Sequence, residues 1–195
     1  FERGKAMQEA VPVGKGGMLA ILGTETEEIN KFISEVKIKG VCEIANDNAP
    51  GQIIVSGNIG SIEDLQKILK KNKKKSIALP VSAPFHCSLM NIAADKMKDK
   101  INSVEFKKPT FEVVSNVTSK PTNDPLKIKQ LLIEQIYSKV RWREIILHMS
   151  ENKINDFIEV GPGKVLTGLT KRILTNTNSF SINSIDDIKN LNNES

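Results

Sequence analysis

The sequence has little cysteine and no long apolar run, and each of these shortages excludes a class of protein. It also has few aromatic residues, which bears on RNA binding below. Only Cys42 and Cys87 carry thiols, which are too few for a disulfide framework and lack metal-ligand spacing. No apolar stretch approaches the roughly 18 residues that a transmembrane helix needs. We therefore expect a protein of a reducing compartment, with no metal site and no membrane span.

The charge is mildly basic and unevenly placed. The 28 basic and 23 acidic residues give a net charge of +5, which is low for a nucleic-acid-binding protein. Five lysines fall between positions 70 and 75. Such a run is usually a solvated helix end, and if it has a function it would attract an acidic partner or RNA.

The length allows one large domain or two small ones. Residues 1–10 predict a helix already under way, with apolar positions near one face, and Val11 and Pro12 end it. The sequence begins at Phe1 rather than at methionine. We therefore expect a piece of a longer protein, and targeting to an organelle stays open.

Residues 13–80 predict a compact βαββαβ unit, which is the order of a ferredoxin-like domain. Thr24 and Ser61 are the predicted N-caps of its two helices. Turn-forming residues at 46–51 predict a loop between the second and third strands. The predicted strands are 18–22, 41–45, 52–56 and 76–79, and the predicted helices are 25–36 and 61–71. Because these strands carry no aromatic residue for base stacking, an RNA-binding function is set aside.

Residues 81–182 predict alternating helices and strands, which favour a parallel sheet covered on both faces. From Asn183 onward the sequence is polar and predicts a fraying tail. The predicted helices are 88–101, 126–137, 142–149 and 164–174, and the predicted strands are 111–115, 157–160 and 179–182.

His86 is one of only two histidines and lies in a loop whose backbone is restricted by Pro80 and Pro84. A neutral imidazole is the side chain best suited to proton transfer near neutral pH. A single histidine in a loop is, however, more often packed or solvated than catalytic. The residues alone leave both interpretations open.

Four stretches, in this order, resemble the malonyl-CoA:acyl carrier protein transacylase family. They are RGKAMQEA at 3–10, NAPGQ at 48–52, PFHC at 84–87 and EVGPGKVL at 159–166. The resemblance runs from Arg3 to about Leu174. It implies an α/β fold, in which residues 1–12 and 81–182 belong to an α/β-hydrolase-like core, 13–80 form an inserted ferredoxin-like subdomain and 183–195 are a tail.

The resemblance also implies a reaction and its residues. A serine would take malonyl from malonyl-CoA as an ester and pass it to the phosphopantetheine thiol of acyl carrier protein, with no cofactor. His86 matches the catalytic base, and Gln135 the residue whose backbone carbonyl orients it. Arg3 matches the arginine that binds the malonyl carboxylate, and a planar guanidinium suits that role. Phe85 resembles the ring that excludes methylmalonyl groups, with core packing as the alternative.

Further positions are implied at the edges of the site. Asn46 and Asn48 match residues that line the cleft for the pantetheine arm, although turn formation alone would also explain them. Lys74 and Lys75 match basic positions that dock the acidic carrier protein. No nucleic acid or membrane partner is implied, and the expected location is the cytoplasm.

The nucleophile is missing from this sequence. The family carries its serine in a Gly-His-Ser-Leu-Gly elbow, and no Gly-x-Ser-x-Gly stretch occurs here. The Gly-Gln-Gly loop of the oxyanion hole is absent too. We therefore expect the C-terminal part of a transacylase that needs an N-terminal segment for activity. The alternative is a catalytically inactive fragment that binds acyl carrier protein or coenzyme A.

Overall fold

The structure, a computed structural model, describes residues 1–193. A short helix leads into four strands and two helices that form one unit. The elements are α1 (Glu2–Glu9), β1 (Gly16–Leu22), α2 (Thr26–Ser34), β2 (Cys42–Ala49), β3 (Gln52–Asn58), α3 (Ile59–Lys71) and β4 (Lys75–Ala78). Each strand and helix predicted between 13 and 80 is present, with ends shifted by a few residues.

The four strands make an antiparallel sheet in the order β2-β3-β1-β4. The central strand β1 is apolar throughout, so each face of the sheet has its own core. Leu19 and Ile21 point toward α2 and α3, where they pack with Ile29 and Leu65. The residues facing the other way are Met18, Ala20, Ala45 and Ile54, with Leu79 and Phe85 against them. The sheet is therefore also covered by the chain that follows β4.

Three local predictions in this unit are wrong. Helix α2 is preceded by Glu25 and not capped by Thr24, which is buried. Helix α3 begins after Asn58, and the Ser61 hydroxyl donates to the carbonyl of Ile38 instead (3.3 Å).

The third wrong prediction is the loop at 46–51. Strand β2 continues to Ala49, and only Pro50 and Gly51 turn the chain. The turn-forming side chains of Asn46 and Asn48 are accommodated because β2 departs from regular register at two places, between Ile44 and Asn46 and between Asp47 and Ala49.

The second half of the chain is built from helices and short strand pairs. A single 3-10 turn at Ser88–Met90 leads into the next helix. The elements are α4 (Asn91–Ser103), β5 (Val113–Val114), β6 (Pro121–Thr122), α5 (Pro125–Glu134), α6 (Trp142–Glu151), β7 (Asp156–Val160), α7 (Val165–Ile173), β8 (Asn178–Ile182) and α8 (Ile185–Asn193). The strand predicted at 111–115 is thus reduced to two residues paired with β6.

A third core joins the first helix to the second half. Ala6 and Met7 of α1, and Ala10 directly after it, pack against Met90 and α4. Ile136, directly after α5, belongs to the same buried cluster. This packing brings Arg3 on α1 near the end of α5.

The last strands and the tail differ from the sequence prediction. Strands β7 and β8 pair in parallel, as predicted, but the pair is not covered on both faces, since Ile158, Val160 and Phe180 are exposed. The predicted tail 183–195 contains α8, and its residues 194 and 195 lie outside the described residues. Within the part of the chain that the structure describes, no helix is long and apolar enough to span a membrane.

Candidate active site

The loop that carries His86 is seated directly on the sheet. Gly16 of β1 lies beneath Pro84, and a Cβ added at Gly16 would be 2.4 Å from the proline Cδ. Glycine at this position therefore allows the close approach of the loop. The loop covers one face of β1 and ends at His86.

His86 itself adopts a left-handed backbone conformation, with φ of 58°. A non-glycine residue in this region costs on the order of 1–3 kcal/mol, which the surroundings must offset. Ser88, two residues further on, supplies part of the restraint on the His86 backbone. Its amide (2.9 Å) and its hydroxyl (2.6 Å) both donate to the carboxylate of Glu43 on β2. The thiol of Cys87 also donates back to the Pro84 carbonyl (3.1 Å). The imidazole is thereby held in one direction.

The ring of His86 meets the end of α5. Its Nδ1 lies 3.0 Å from the backbone carbonyl oxygen of Gln135. A carbonyl oxygen can only accept, so Nδ1 must donate, and the proton of the neutral ring is on that nitrogen. Nε2 is then left with a free lone pair, which is what a general base requires. Gln135 was predicted inside a helix, whereas α5 ends at Glu134 and Gln135 follows as its C-cap.

The electrostatic environment favours the neutral form of His86. Burial of the ring lowers the pKa of His86, and the hydrogen bond to the Gln135 carbonyl partly offsets this. The positive charge of Arg3 lowers the same pKa further. At neutral pH the ring is therefore a base and not an imidazolium.

Arg3 lies on α1 and points into the same site. Its Nη2 donates to the side-chain oxygen of Gln135 (3.3 Å). Gln135 thus contacts His86 through its backbone and Arg3 through its side chain. Burial lowers the pKa of Arg3, and an arginine remains charged despite such a shift. The site accordingly combines a proton acceptor with a half-buried cation.

Phe85, directly before the histidine, is partly buried between two cores. Its ring packs against the cluster of α1 and α4 and against the outer face of the sheet. Core packing therefore explains part of its presence. The structure places it next to His86.

Asn46 and Asn48 lie on β2 at the margin of the site. Asn46 forms a parallel β-bridge with Val140, five residues after Gln135. Asp47, between the two asparagines, is buried and its carboxylate pairs with Arg143 on α6 (2.8 Å). The two asparagines are half-buried.

Lys74 and Lys75 lie away from this group, between α3 and the start of β4. Lys75, the first residue of the edge strand β4, pairs with Leu22 at the end of β1, and its side chain is exposed. Lys74 forms an ion pair with Glu28 of α2 (2.8 Å), so part of its charge is already compensated. Of the two predicted docking lysines, Lys75 has the freer side chain.

Neither cysteine is a substitute for the missing serine. Burial raises the pKa of the Cys87 thiol, and it raises that of Cys42 to about 11. Both thiols are protonated at neutral pH and are weak nucleophiles. Among the described residues, no hydroxyl or thiol side chain is hydrogen-bonded to His86, and no cluster of acidic, histidine or cysteine side chains could hold a metal ion.

Comparison with known proteins places this geometry in a family. The malonyl CoA-acyl carrier protein transacylase of Bacillus subtilis (strain 168) is 38% identical over 190 residues, which cover 96% of this chain and 60% of the relative. The crystal structure of an acyl carrier protein S-malonyltransferase from Vibrio cholerae superposes with a TM-score of 0.93 at 40% identity, covering 97% of this chain and 62% of that one. This chain belongs to the malonyl CoA-acyl carrier protein transacylase family.

A third relative of this transacylase family has been solved with a partner. It is a malonyl-transacylase in complex with its type II PKS acyl-carrier protein, and it superposes with a TM-score of 0.93 at 36% identity, covering 99% of this chain and 63% of that one. No protein-family model matches the chain. The chain spans about 60% of the length of the curated transacylases that it matches.

Sequence reasoning missed several residues that organise this candidate site. Glu43 holds Ser88, and Asp47 holds Arg143. All four were passed over because their partners are 45 or 96 positions away in the chain. Residues two apart in a strand share a face, so the apolar Ala45 and Ala49 on either side of Asp47 were the available signal for a buried Asp47.

Proposed function

We propose that this chain supplies the base and the carboxylate-binding arginine of a malonyl transfer reaction. In that reaction malonyl passes from malonyl-CoA to a serine, and then to the phosphopantetheine thiol of acyl carrier protein for fatty acid biosynthesis. The serine comes from a segment that this sequence does not include. The observation that carries the proposal is Gln135, which contacts both His86 and Arg3.

His86 acts as base and then as acid in each half-reaction. Its Nε2 takes the proton of the serine hydroxyl as the oxygen attacks the thioester carbonyl, and the proton then goes to the departing coenzyme A sulfur. In the second half, Nε2 takes the proton of the pantetheine thiol and returns it to the serine oxygen. The Gln135 carbonyl keeps the ring in the tautomer that this sequence needs, and no cofactor takes part.

Arg3 selects the acyl group. Its guanidinium pairs with the free carboxylate of malonyl, which acetyl lacks. Phe85 narrows the same pocket against a methyl branch, a discrimination worth roughly 1–3 kcal/mol. Asn46 and Asn48 line the cleft for the pantetheine arm.

The carrier protein docks near the exposed lysines. Lys75, with Lys74 contributing less because of its ion pair with Glu28, provides positive charge for an acidic partner. Such charge speeds the encounter more than it strengthens binding. The complex of one relative with its acyl-carrier protein supports acyl carrier protein as the partner, and we place the reaction in the cytoplasm.

We also propose the domain arrangement that the family resemblance implies. Residues 13–80 form a ferredoxin-like subdomain, which the antiparallel order β2-β3-β1-β4 supports. Residues 1–12 and 81–182 belong to an α/β-hydrolase-like core. The exposed faces of β7 and β8 are where further core elements would pack.

The test is the intact mass of each polypeptide after incubation with malonyl-CoA. The chain is produced alone and together with the part of the Bacillus subtilis relative that the match leaves out, where the family resemblance implies the Gly-His-Ser-Leu-Gly elbow. We expect a malonyl adduct on the added segment, lost in His86→Ala. Arg3→Ala should remove the preference for malonyl-CoA over acetyl-CoA, while Arg141→Ala, which removes another half-exposed arginine, should keep it.

A binding function without catalysis is the second candidate. It is favoured by the absence, among the described residues, of a hydroxyl at His86. A folded two-part complex that forms no adduct, yet binds acyl carrier protein equally well with and without His86→Ala, would replace our proposal with this one.

A further inference from the structure

The linker segment, which we define as residues 135–143, connects the histidine site to strand β2. Its first residue, Gln135, is the C-cap of α5 and holds the imidazole through its carbonyl (3.0 Å). Further along, the amide of Val140 donates to the carbonyl of Ala45 (2.8 Å), and its carbonyl accepts from the amide of Asp47 (2.9 Å). The position of the Gln135 carbonyl therefore depends on how the linker segment sits on β2.

A buried ion pair fixes the far end of the linker segment. Arg143 donates to one oxygen of Asp47, Oδ2, from both Nη2 (2.8 Å) and Nε (3.2 Å). Its Nη1 reaches Glu25 at the start of α2 (3.0 Å). The side chain of Asp47 is only 4% exposed, and that of Arg143 is largely buried as well. The arginine thus joins α6 to two elements of the sheet unit.

This pair is a poor way of stabilising the fold. The other oxygen of Asp47, Oδ1, is buried without a hydrogen-bond partner among the described residues, and burial raises the pKa of the carboxyl despite the adjacent guanidinium. Buried ion pairs are often no better for stability than apolar residues of similar size, whereas they can hold one arrangement against its alternatives. The pair therefore suggests a geometric role.

We propose that Asp47 and Arg143 are positioning residues for His86. They hold the linker segment on β2 so that the Gln135 carbonyl stays in reach of Nδ1 and keeps the ring proton there. This role rests on the proposed function only in assigning Nε2 as the base. Neither residue touches a reacting group.

The two restraints on the linker segment are complementary. The backbone bonds of Val140 attach the linker segment to β2, while Ile136 at its other end is buried against α1 and α4. Arg143, three residues further, supplies a second attachment through a side chain. These two attachments to the sheet unit fix the course of residues 140–143. Because residues 135–139 connect them to α5, they also restrain the end of that helix.

The experiment reads the tautomer of His86 by nitrogen NMR in the full chain. The chain has only His86 and His148, so the second histidine is an internal reference. At a pH well above the ordinary histidine value of about 6.5, we expect the His86 proton on Nδ1. Arg143→Lys keeps the positive charge but loses the two-pronged contact, and it should convert a substantial part of His86 to the Nε2–H tautomer. The matched control is Arg172→Lys on α7, outside the linker segment, which should leave His86 unchanged.

The outcomes separate positioning from plain stabilisation. If a folded Arg143→Lys keeps the wild-type His86 tautomer, the proposal is overturned. If that variant does not fold, the double variant Asp47→Asn with Arg143→Gln, which removes both charges, is measured in the same way. We again expect partial conversion of His86 to the Nε2–H tautomer, and the wild-type tautomer would overturn the proposal. A shift that appears equally in Arg172→Lys would also refute a specific role for Asp47 and Arg143.

The readout does not require a serine, a substrate or turnover. A tautomer shift without malonyl transfer in the two-part complex would contradict the proposed function alone. Malonyl transfer in the two-part complex, together with a His86 tautomer that Arg143→Lys leaves unchanged, would contradict only the positioning role. With both correct, Arg143→Lys should lower kcat in the complex with little change in the KM for malonyl-CoA.

Discussion

At the scale of single residues, the site depends on one side chain contacted from two directions. Gln135 orients His86 by its carbonyl and meets Arg3 by its amide oxygen. Burial first, and then the charge of Arg3, depress the pKa of His86. The arginine therefore has an effect on the base in addition to any role in binding a carboxylate.

Replacing Arg3 with methionine should raise the pKa of His86, because a positive charge that disfavours the imidazolium is removed while apolar bulk is kept. The measurement is an NMR titration of His86, with Arg141→Met as the control. In the two-part complex the same change should reduce malonyl transfer by roughly 100-fold, equivalent to about 2–3 kcal/mol for a lost carboxylate–guanidinium pair. An unchanged titration of His86 would show that the Arg3 charge does not reach the ring.

The same depressed pKa predicts how stability depends on pH. The unfolded chain binds the His86 proton more readily than the folded chain does, so the contribution of His86 is fully present above the ordinary value of about 6.5. It is lost as the pH falls below that value toward the folded pKa. Urea unfolding of wild type and His86→Gln across this range should show a smaller loss of stability on acidification in the variant. Parallel curves for the two proteins would contradict this.

At the scale of elements, the site depends on how closely the loop at 84–86 approaches β1. A methyl group at Gly16 would overlap Pro84, and the loop cannot move outward without displacing Phe85 from two cores. A central strand and the histidine loop are thereby packed as one layer. The restraint of Ser88 by Glu43 then fixes the other side of His86.

Gly16→Ala should destabilise the protein by about 1–3 kcal/mol, the usual cost of adding a methyl group to a packed site, and should broaden the NMR signal of His86. The matched change is Gly168→Ala in α7, where no atom lies within 4 Å of the added Cβ and alanine favours the helix by up to about 1 kcal/mol. Denaturant unfolding measures both. A neutral Gly16→Ala would mean that the loop relaxes without cost.

At the scale of the whole molecule, one face is left uncovered. Ile158 and Phe180 are opposite each other in the parallel pair β7–β8, and with Val160 they form an exposed apolar strip. A cavity of about 340 Å³ lies beside the pair, bordered by Trp142, Ile146 and Leu166 among others. Exposed apolar strips of this kind mark interaction surfaces or promote association.

The chain on its own should therefore associate through β7 and β8. Light scattering after size exclusion should give a mass above the 21.6 kDa of the monomer. Ile158→Ser combined with Val160→Ser should shift the protein toward the monomer, whereas Ile92→Ser, an exposed apolar residue on α4, should not. A monomeric wild-type chain would refute this expectation.

The sequence by itself determined the order of the elements and the identity of the candidate base. Apolar periodicity and turn residues were sufficient for the βαββαβ order, and resemblance singled out His86, Gln135 and Arg3, because both signals are local. Caps and ends were less certain. Thr24, Ser61 and the supposed loop at 46–51 were wrong because burial and strand pairing overrode the local preference of small polar residues.

Only the tertiary structure decided which residues meet. Gln135 reaches Arg3 across 132 positions and His86 across 49, and Asp47 finds Arg143 across 96. No local pattern encodes such pairs, since each depends on how α1, α5 and α6 pack on the sheet. Burial of the imidazole and of Asp47, which sets the direction of their pKa shifts, likewise exists only once the chain is folded.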